Sequence, residues 1–331
     1  MLPSLDIIIV NWNAGQQLQD CLESIVVTNC KGFKLNQVVV VDNASTDGSI
    51  NNIQDIDLPF MLICNPKNSG FAAACNQGAT SSQSDYLLFL NPDTRLFEDS
   101  LYKPIHFLEQ PKNKTIGICG IQLINEQDSV TRSCARFPSP SMYFAKMLGL
   151  DRLAPRQFPG HFMTEWDHGD SREVDQIMGA FFLVRGSIFK SMDGFDERFF
   201  VYFEEVDFSY RAYQTGWNSF YLADAQAYHK GGGTSEQVKA TRLFYSLRSR
   251  VRYGYKHFGV GAATALMLAT LLAEPISRLV LALSSGQFSQ VKKTLQAYFM
   301  LWRTLFNLRY CKETTTNRSE SVKGVKNMRH K

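Results

Sequence analysis

The chain has 331 residues, of which 44% are hydrophobic and 20% are charged, so it can bury a sizeable core. The net charge is only +4, and seven cysteines without a CxxC pair favour neither a disulfide framework nor a zinc site. The first residues lack the basic character of a secretory signal, and Asp6 interrupts their apolar run. We therefore expect a cytosolic catalytic domain.

Short apolar runs alternate with helix-like segments through the first third of the chain. Because strand–helix units in this order form right-handed crossovers, the pattern predicts an α/β sandwich. In such sheets ligands bind beyond the carboxyl ends of the strands. The predicted strands cover residues 5–10, 37–41, 60–64, 85–90 and 115–121, and the predicted helices cover residues 16–27, 70–80 and 99–110.

Polar residues follow four consecutive predicted strands. Asn11 and Asn13 come after the first strand, Asp42 and Asn43 come after the second, residues 65–70 follow the third, and residues 91–93 follow the fourth. Packing alone does not explain polar residues at every one of these positions. The sequence therefore predicts a binding site at this edge of the sheet.

Residues 122–175 are rich in proline, arginine and aromatic residues and show little periodicity. Loops of this length are usually functional, so we expect this excursion to cover the acceptor side of the cleft. The pattern then predicts a strand over residues 174–184 and two short strands over residues 219–222 and 226–229. Residues 1–235 are predicted to form the catalytic domain.

The segment VDNASTDGS at residues 41–49 places Asp42 directly after four valines. An aspartate at that position can accept a hydrogen bond from N3–H of uracil or thymine, and the short polar residues that follow can approach a ribose. A plain turn with a helix cap would explain residues 45–49 but not Asp42. The GxxxxGK and GxGxxG motifs are missing, so the phosphate-binding signatures of P-loop ATPases and Rossmann dehydrogenases are absent.

The segment LLFLNPDT at residues 87–94 places Asp93 just beyond an apolar strand. One carboxylate at a strand tip suits Mg²⁺ or Mn²⁺, because such an ion completes its shell with water and diphosphate oxygens. His229, in the segment HKGGGTS, is either a further ligand, which would favour Mn²⁺, or a structural histidine.

Three carboxylates, Glu204, Glu205 and Asp207, fall within one predicted helical turn. Carboxylates this close repel one another unless they bind protons, a metal or a substrate, so the cluster indicates acid–base chemistry. The alternative is a solvated helix face neutralised by Arg198 and Arg211. Aromatic residues on both sides of the cluster favour an enclosed helix and hence the functional interpretation.

Taken together, these motifs resemble the family 2 glycosyltransferases of GT-A fold, in particular the bacterial branch of rhamnosyltransferases of polysaccharide and O-antigen assembly. The motifs occur in the family's order over about two-thirds of the chain. The matching segments are IIIVNWN (7–13), VDNASTDGS (41–49), NSGFAAACNQG (68–78), LLFLNPDT (87–94), MGAFFLVR (178–185), GFDERFFVYFEEVDFSYR (194–211) and HKGGGTS (229–235).

The resemblance implies an inverting transfer of a sugar, with L-rhamnose from dTDP-rhamnose as the expected donor, to a hydroxyl of a lipid-linked glycan. It implies Glu205 as the catalytic base and Glu204 and Asp207 as acceptor-binding residues. Asp93 and His229 would hold Mg²⁺ or Mn²⁺. The expected residues of the nucleotide-diphospho-sugar site are Asn11, Asn13, Asp42, Asn43, Ser45, Asn68, Gly70, Asn76 and Asn91.

Two positions depart from the family pattern. The family's DxD is reduced to Asn91-Pro92-Asp93, and Cys75 stands where relatives often carry asparagine. Alternative interpretations are transfer of glucose, galactose or galactofuranose from a UDP-sugar, or an inactive nucleotide-sugar-binding scaffold. Nucleic acid is not an expected partner, because the basic residues do not accompany a reader module.

Residues 258–273 are uncharged and end at Glu274-Pro275, with basic residues on both sides. This pattern predicts a helix lying in the interface of an anionic membrane, at the cytoplasmic face of the plasma membrane. The alternatives are a helix packed on the domain or on a second subunit of a homodimer, and a spanning helix. Residues 236–310 are predicted to form this helical appendage, and residues 311–331 a basic disordered tail.

Overall fold

The β-branched runs of the N-terminal third form neighbouring strands of one sheet. The computed structural model describes residues 1–51, 53, 56–231 and 239–306. The strands in this part of the chain are β1 (Ser4–Asn11), β2 (Lys34–Asp42), β3 (Phe60–Cys64), β4 (Tyr86–Leu90), β5 (Thr94–Leu96), β6 (Ile116–Ile124), β7 (Val130–Thr131), β8 (Cys134–Ala135), β9 (Arg172–Val174), β10 (Gln176–Ile177), β11 (Phe181–Arg185) and β12 (Asn218–His229).

Helices cover both faces of this sheet and form the C-terminal segment. In the described residues they are α1 (Gln16–Val26), α2 (Phe71–Ala79), α3 (Tyr102–Glu109), α4 (Pro140–Met147), α5 (Leu150–Leu153), α6 (Gly186–Ser191), α7 (Glu204–Gln214), α8 (Lys239–His257), α9 (Val260–Leu268), α10 (Glu274–Ser284) and α11 (Phe288–Phe306).

The main sheet has the strand order β3-β2-β1-β4-β11-β6-β12-β5. Strands β3, β2, β1 and β4 are parallel, so their carboxyl ends lie at one edge. Strand β11 is antiparallel to both β4 and β6, and β5 pairs antiparallel with the end of β12. This last pairing brings the segment after β4 beside His229, the last residue of β12.

Two apolar cores lie on opposite faces of the sheet. One contains side chains of α1 and α3, including Leu22 and Ile105, and the other contains side chains of α2, α6 and α7, including Phe189 and Phe208. All four aliphatic side chains of residues 38–41 are buried. Burial on both faces explains why the sequence of these strands is nearly all apolar.

The sequence predicted the parallel strands and their helices, and the structure confirms them within a few residues. The C-terminal half of the sheet differs from the prediction. Residues 219–222 and 226–229 belong to one strand, β12, which is interrupted by a bulge, and residues 174–184 are divided among β9, β10 and β11. The excursion at residues 122–175 contains helices α4 and α5 as well as short strands.

The apolar helix near the C-terminus is longer than predicted. It runs without a break over Val260–Ser284, and by length and composition it is the one helix among the described residues that could cross a membrane. The prediction that Glu274 and Pro275 end it was wrong. A π-helical turn at Ala269–Ala273 precedes Pro275, and the carboxylate of Glu274 is neutralised by Arg250 and Arg278.

The predicted domain boundary at residue 235 lies in the gap between the described residues 231 and 239. The predicted tail at residues 311–331 also lies outside the described residues. Both divisions therefore stay predictions.

Candidate active site

Asn11, at the end of β1, fixes the orientation of Asp42, at the end of β2. The amide nitrogen of Asn11 donates to Asp42 Oδ1 at 2.8 Å and lies 3.0 Å from Ser45 Oγ. The backbone N–H of Ser45 donates to the other oxygen of Asp42 at 3.1 Å. The structure thus brings Asn11, Asp42 and Ser45 together, as parallel neighbouring strands require.

Asn13 connects the loop after β1 to the loop after β2. Its side-chain oxygen accepts from the backbone N–H of Thr46 at 2.7 Å, and its own backbone N–H donates to Ser45 Oγ at 2.9 Å. Asn13 has a positive φ of 53°, which asparagine tolerates better than most residues. These contacts make the two loops one polar unit beside Asp42.

Asn43 extends this polar unit to the loop after β3. Its amide donates to Asn68 Oδ1 at 3.0 Å and to the backbone oxygen of Gly70 at 3.1 Å. Gly70 has a φ of 93°, and a Cβ there would lie 2.6 Å from the backbone oxygen of Phe200. Because only glycine fits this close approach, the loop after β3 can lie directly against the segment that precedes α7.

Asn76, on α2, binds the turn before α7. Its amide nitrogen donates to the backbone oxygen of Phe195 at 2.8 Å, and its side-chain oxygen accepts from the backbone N–H of Phe195 at 2.8 Å. Both polar atoms of the Asn76 amide thus form hydrogen bonds with the backbone of the Gly194-Phe195 turn. The contacts favour a positioning role, and the predicted contact of Asn76 with the donor stays a prediction.

Glu204 and Glu205 begin helix α7 after a strained stretch of backbone. Tyr202 and Phe203 have positive φ values of 66° and 74°, which side chains of this size rarely adopt. Strained backbone of this kind clusters at functional sites, where the surrounding structure maintains it. Glu204 is buried, whereas Glu205 keeps part of its surface exposed, and one carboxylate oxygen of each is enclosed and has no hydrogen-bond partner among the described residues.

This enclosure changes how the two carboxyl groups bind protons. Burial, together with the negative charge of Glu205, raises the pKa of Glu204 well above its usual range. Burial raises the pKa of Glu205 to about 7. The raised pKa of Glu204 favours its protonated form, while Glu205 is close to its midpoint near neutral pH and can accept a proton. The pair forms an acid and a base at adjacent positions.

Asp207 has a different environment from the other two carboxylates. Its side chain is fully buried, and Arg211 Nε lies 2.8 Å from one of its oxygens. Lys256 and His257, on α8, approach the other oxygen at 2.6 and 2.8 Å. Both carboxylate oxygens of Asp207 are thus paired with cationic side chains of the protein. These contacts favour a supporting role, and the predicted contact of Asp207 with the acceptor stays a prediction.

Asp93 and His229 meet at the pairing of β5 with the end of β12. Asp93 Oδ1 lies 3.3 Å from His229 Nε2, and no third histidine, cysteine or acidic side chain joins them among the described residues. Asn91 lies at the start of the same turn, where its backbone oxygen accepts from Thr94 N–H. A carboxylate and an imidazole this close fit one divalent ion that takes its other ligands from water and substrate.

A cleft of about 220 Å³ opens beside Asp93. The two cationic residues that line this cleft, Arg95 and Lys230, were not predicted as site residues. Single basic residues in a sequence do not show that they line the same cleft. The guanidinium of Arg95 lies 4.0 Å from the ring centroid of Tyr228. The residues lining the cleft are Gln17, Asp20, Asp93, Arg95, Glu126, Tyr228 and Lys230.

Comparison with known families identifies the chain. Residues 86–310 match Glycosyl transferase family group 2, and residues 6–165 match Glycosyl transferase family 2. The chain belongs to the family 2 glycosyltransferases. This membership confirms the resemblance inferred from the ordered motifs.

Two curated relatives of this glycosyltransferase carry rhamnosyltransferase names. The N-acetylglucosaminyl-diphospho-decaprenol L-rhamnosyltransferase of Mycobacterium tuberculosis is 26% identical over 257 residues, which cover 73% of this chain and 81% of the relative. Rhamnosyltransferase WbbL of Escherichia coli is 29% identical over 174 residues, which cover 52% of this chain and 62% of WbbL. The glycosyltransferase is thus similar to rhamnosyltransferases of polysaccharide biosynthesis.

Solved structures confirm the GT-A fold of this glycosyltransferase. The mannosyltransferase PcManGT of Pyrobaculum calidifontis, in complex with GDP-Man and Mn²⁺, is 14% identical and has a TM-score of 0.54, with coverage of 91% of this chain and 88% of PcManGT. GalNAc-T7, with UDP, GalNAc and Mn²⁺, is 14% identical and has a TM-score of 0.52, with coverage of 69% and 43%.

Proposed function

We propose that this glycosyltransferase moves L-rhamnose from dTDP-rhamnose, with inversion, to a hydroxyl of a lipid-linked glycan in cell-surface polysaccharide or O-antigen synthesis. The observation that carries the chemistry is the adjacent pair Glu204 and Glu205, each with an enclosed oxygen that lacks a hydrogen-bond partner in the part of the chain that the structure describes. The names of the two rhamnosyltransferase relatives support the sugar, and the decaprenol-linked acceptor named for one supports the lipid.

The donor would bind at the polar unit that joins the loops after β1, β2 and β3. Asp42 would accept the N3–H of the pyrimidine, since Asn11 and Ser45 hold its carboxylate in one orientation. Asn13 and Asn43 hold the loops on either side. Because these contacts exist before the donor arrives, little ordering would be needed when it binds.

Asp93 and His229 would hold Mg²⁺ or Mn²⁺ against the donor diphosphate. The separation of 3.3 Å between their side chains supports a shared ion, as do the Mn²⁺ ions named with the two similar structures. When bound, this ion would stabilise the negative charge that the departing diphosphate gains. The chain's own contribution at this position is the pairing of β5 with β12, which holds Asp93, directly before β5, beside His229, the last residue of β12.

Glu205 would remove the proton of the acceptor hydroxyl as that oxygen attacks the anomeric carbon. A base that acts in one in-line displacement inverts the configuration at this carbon, and general-base catalysis typically contributes 10²–10⁴-fold. Glu204, with its raised pKa, would donate a hydrogen bond to the acceptor. Asp207 and Arg211 would hold helix α7 in place.

Two other functions make different predictions. A UDP-sugar transferase specific for glucose, galactose or galactofuranose would use the same residues with a different sugar pocket. In an inactive scaffold, two enclosed carboxyl groups beside a strained turn would destabilise the fold and serve no catalytic role.

We also propose that the protein works at the cytoplasmic face of the plasma membrane, where a lipid-linked acceptor is accessible.

A panel of donors tests the proposal directly. Purified protein would be incubated with Mn²⁺, a polyprenyl-diphosphate-linked acceptor and dTDP-rhamnose, UDP-glucose, UDP-galactose or UDP-galactofuranose. The expected result is transfer from dTDP-rhamnose above all others. Preferential transfer from a UDP-sugar would replace rhamnose as the substrate, and no transfer from any donor would favour the scaffold.

A further inference from the structure

The helix Val260–Ser284 presents an apolar stripe to the outside of the protein. Its large outward side chains are 48% to 64% exposed, and positions four or three apart share one helix face. No charged residue interrupts them on that face. The stripe consists of Leu268, Leu272, Ile276, Val280 and Leu283.

The carboxylate of the same helix faces inward, and its one basic side chain, which is partly exposed, reaches back to that carboxylate. Glu274 is buried and forms ion pairs with Arg250 of α8 and with Arg278, one turn further along. Thr270 also accepts a hydrogen bond from Arg250 at 2.8 Å. The polarity of this helix is therefore the reverse of an ordinary surface helix, which buries its apolar face and exposes its charges.

Helix α11 repeats this arrangement beside it. Ala297, Tyr298 and Leu301 of α11 pack against Phe244 and Leu247 of α8. The opposite side of α11 exposes large apolar side chains, which are 46% to 71% exposed: Phe288, Leu295, Phe299 and Trp302. Both α9–α10 and α11 thus pack on α8 and direct apolar stripes away from it.

We propose that these two stripes form a lipid-docking face that lies in the interface of an anionic bilayer. The inference deepens the proposed function, since a lipid-linked acceptor requires a membrane, and it assigns this contact to α9–α10 and α11. Apolar side chains on a helix face can enter the boundary between headgroups and acyl chains. The face extends beyond the predicted segment at residues 258–273 to residue 302.

Charge complementarity favours anionic lipid over a second copy of the chain. Helix α11 exposes Lys292 and Arg303 near its stripe. The sequence that follows it, residues 307–331, holds seven lysines and arginines and only two glutamates. A symmetric dimer through this face would bring Lys292 and Arg303 of two copies towards each other, whereas an anionic leaflet attracts them.

The inward charges favour helices lying in the membrane plane over a spanning helix. Glu274, Arg250 and Arg278 meet near the middle of a helix that is 25 residues long, or about 37 Å. In a spanning orientation this cluster would lie near the bilayer centre, where charges are costly. Contacts of α9 with α4 and α8 also cover one side of the helix.

Vesicle flotation tests this face without measuring sugar transfer, so failure of one proposal is distinguishable from failure of the other. The full-length protein would be mixed with vesicles of phosphatidylglycerol and phosphatidylethanolamine. The triple variant Leu272→Gln, Ile276→Gln, Phe299→Gln should bind about 100-fold more weakly, because three apolar side chains no longer favour the acyl region. The control triple variant Val27→Gln, Met61→Gln, Tyr213→Gln alters exposed apolar residues of the catalytic domain and should bind like the wild type.

Trp302 provides a second measurement that needs no disruptive substitution. Vesicles with brominated acyl chains should quench the emission of Trp302, and the quenching should be lost in Trp302→Phe. The proposal is overturned if the wild type does not float with anionic vesicles, or if the triple variant of Leu272, Ile276 and Phe299 binds as tightly as the wild type. It is also overturned if the wild type is a dimer that only this triple variant dissociates, and the vesicles do not quench Trp302.

Discussion

Asp207 and His257 join the proposed catalytic helix to the C-terminal segment: His257 Nε2 lies 2.8 Å from a carboxylate oxygen of Asp207. Lys256 approaches the same oxygen at 2.6 Å, and Arg211 approaches the other at 2.8 Å. Helix α8 therefore supports the start of α7, where Glu204 and Glu205 lie. The C-terminal segment thus supports the proposed active site through this buried ionic contact.

Asp207→Asn should lower the free energy of unfolding by about 3–5 kcal/mol, because it removes a fully buried charge and leaves the partly buried cations of Arg211 and Lys256 without their counter-charge. Urea denaturation followed by circular dichroism measures this change. Asp170→Asn is the control, since the Asp170–Arg172 pair is exposed and should contribute far less to stability than the buried contacts of Asp207. Equal effects of the two substitutions would contradict the assignment of Asp207 as the main support of α7.

The contribution of Asp207 should also depend on pH. Burial acts to raise its pKa, but hydrogen bonds from His257 and Lys256 and the charge of Arg211 outweigh burial and hold the pKa below its usual range. Its stabilising effect should be present above about pH 4, the usual pKa of an unfolded aspartate, and should be lost as the pH falls through the folded pKa. The stability difference between wild type and Asp207→Asn should therefore shrink below about pH 4, and a difference that grows there would contradict this account.

The rate of transfer should rise with pH, reach half of its maximum near pH 7, where Glu205 is half ionised, and level off at higher pH. Burial raises the pKa of Glu205 to about 7, and only its ionised form can accept the proton of the acceptor. A profile of kcat/KM between pH 5 and pH 9, with a metal-saturated enzyme, measures this limb. An acid limb near pH 4.5 would mean that the base has an ordinary carboxyl pKa.

The sequence predicted the parallel part of the sheet because strands that are covered on both faces are nearly all apolar, a pattern visible in each short segment by itself. Val38 to Val41 are all apolar since both faces are covered, and Asp42 marks the strand end without reference to any distant residue. The end of a strand likewise indicated Asp93, whereas three carboxylates within one helical turn indicated Glu204 and Glu205. Family order then supplied their expected roles.

The remaining features depend on contacts between distant residues. Strand β11 lies between β4 and β6, and no local pattern encodes that insertion. The approach of Lys256 and His257 to Asp207 joins residues about 50 positions apart, so the cluster of three carboxylates in the sequence gave no sign that one of them supports the fold. Glu274 likewise does not end its helix, because Arg250 neutralises it from another helix.

Removal of the metal should abolish transfer. Asp93→Ala should leave less than about 1% of the activity, because it removes the carboxylate ligand, and His229→Ala should weaken Mn²⁺ binding. Activity with and without EDTA, and calorimetric titration with Mn²⁺, measure these effects. Asp99→Ala, which alters an exposed carboxylate paired with Lys103, is the control. Full activity of the wild type in EDTA would refute a metal at Asp93.

Gly70→Ala should reduce kcat more than it weakens donor binding. A Cβ at residue 70 would lie 2.6 Å from the backbone oxygen of Phe200, so the segment that positions Glu204 and Glu205 must shift. Gly259→Ala is the matched control, because Gly259 has similar backbone angles but no atom within 4 Å of the added Cβ. If both variants lose the same activity, backbone strain alone explains the loss and the contact with Phe200 is not important.

The central claim, that Glu205 is the base of sugar transfer, is tested most directly by single-turnover kinetics of Glu205→Gln and Glu204→Gln with bound donor. The account predicts that Glu205→Gln lowers the rate of the chemical step by about 10²-fold or more with little change in donor affinity, since a base acts chiefly in the transition state. Glu204→Gln should mainly raise the acceptor concentration needed for half-maximal rate. A fast chemical step in Glu205→Gln, together with a slow one in Glu204→Gln, would contradict the account and make Glu204 the base.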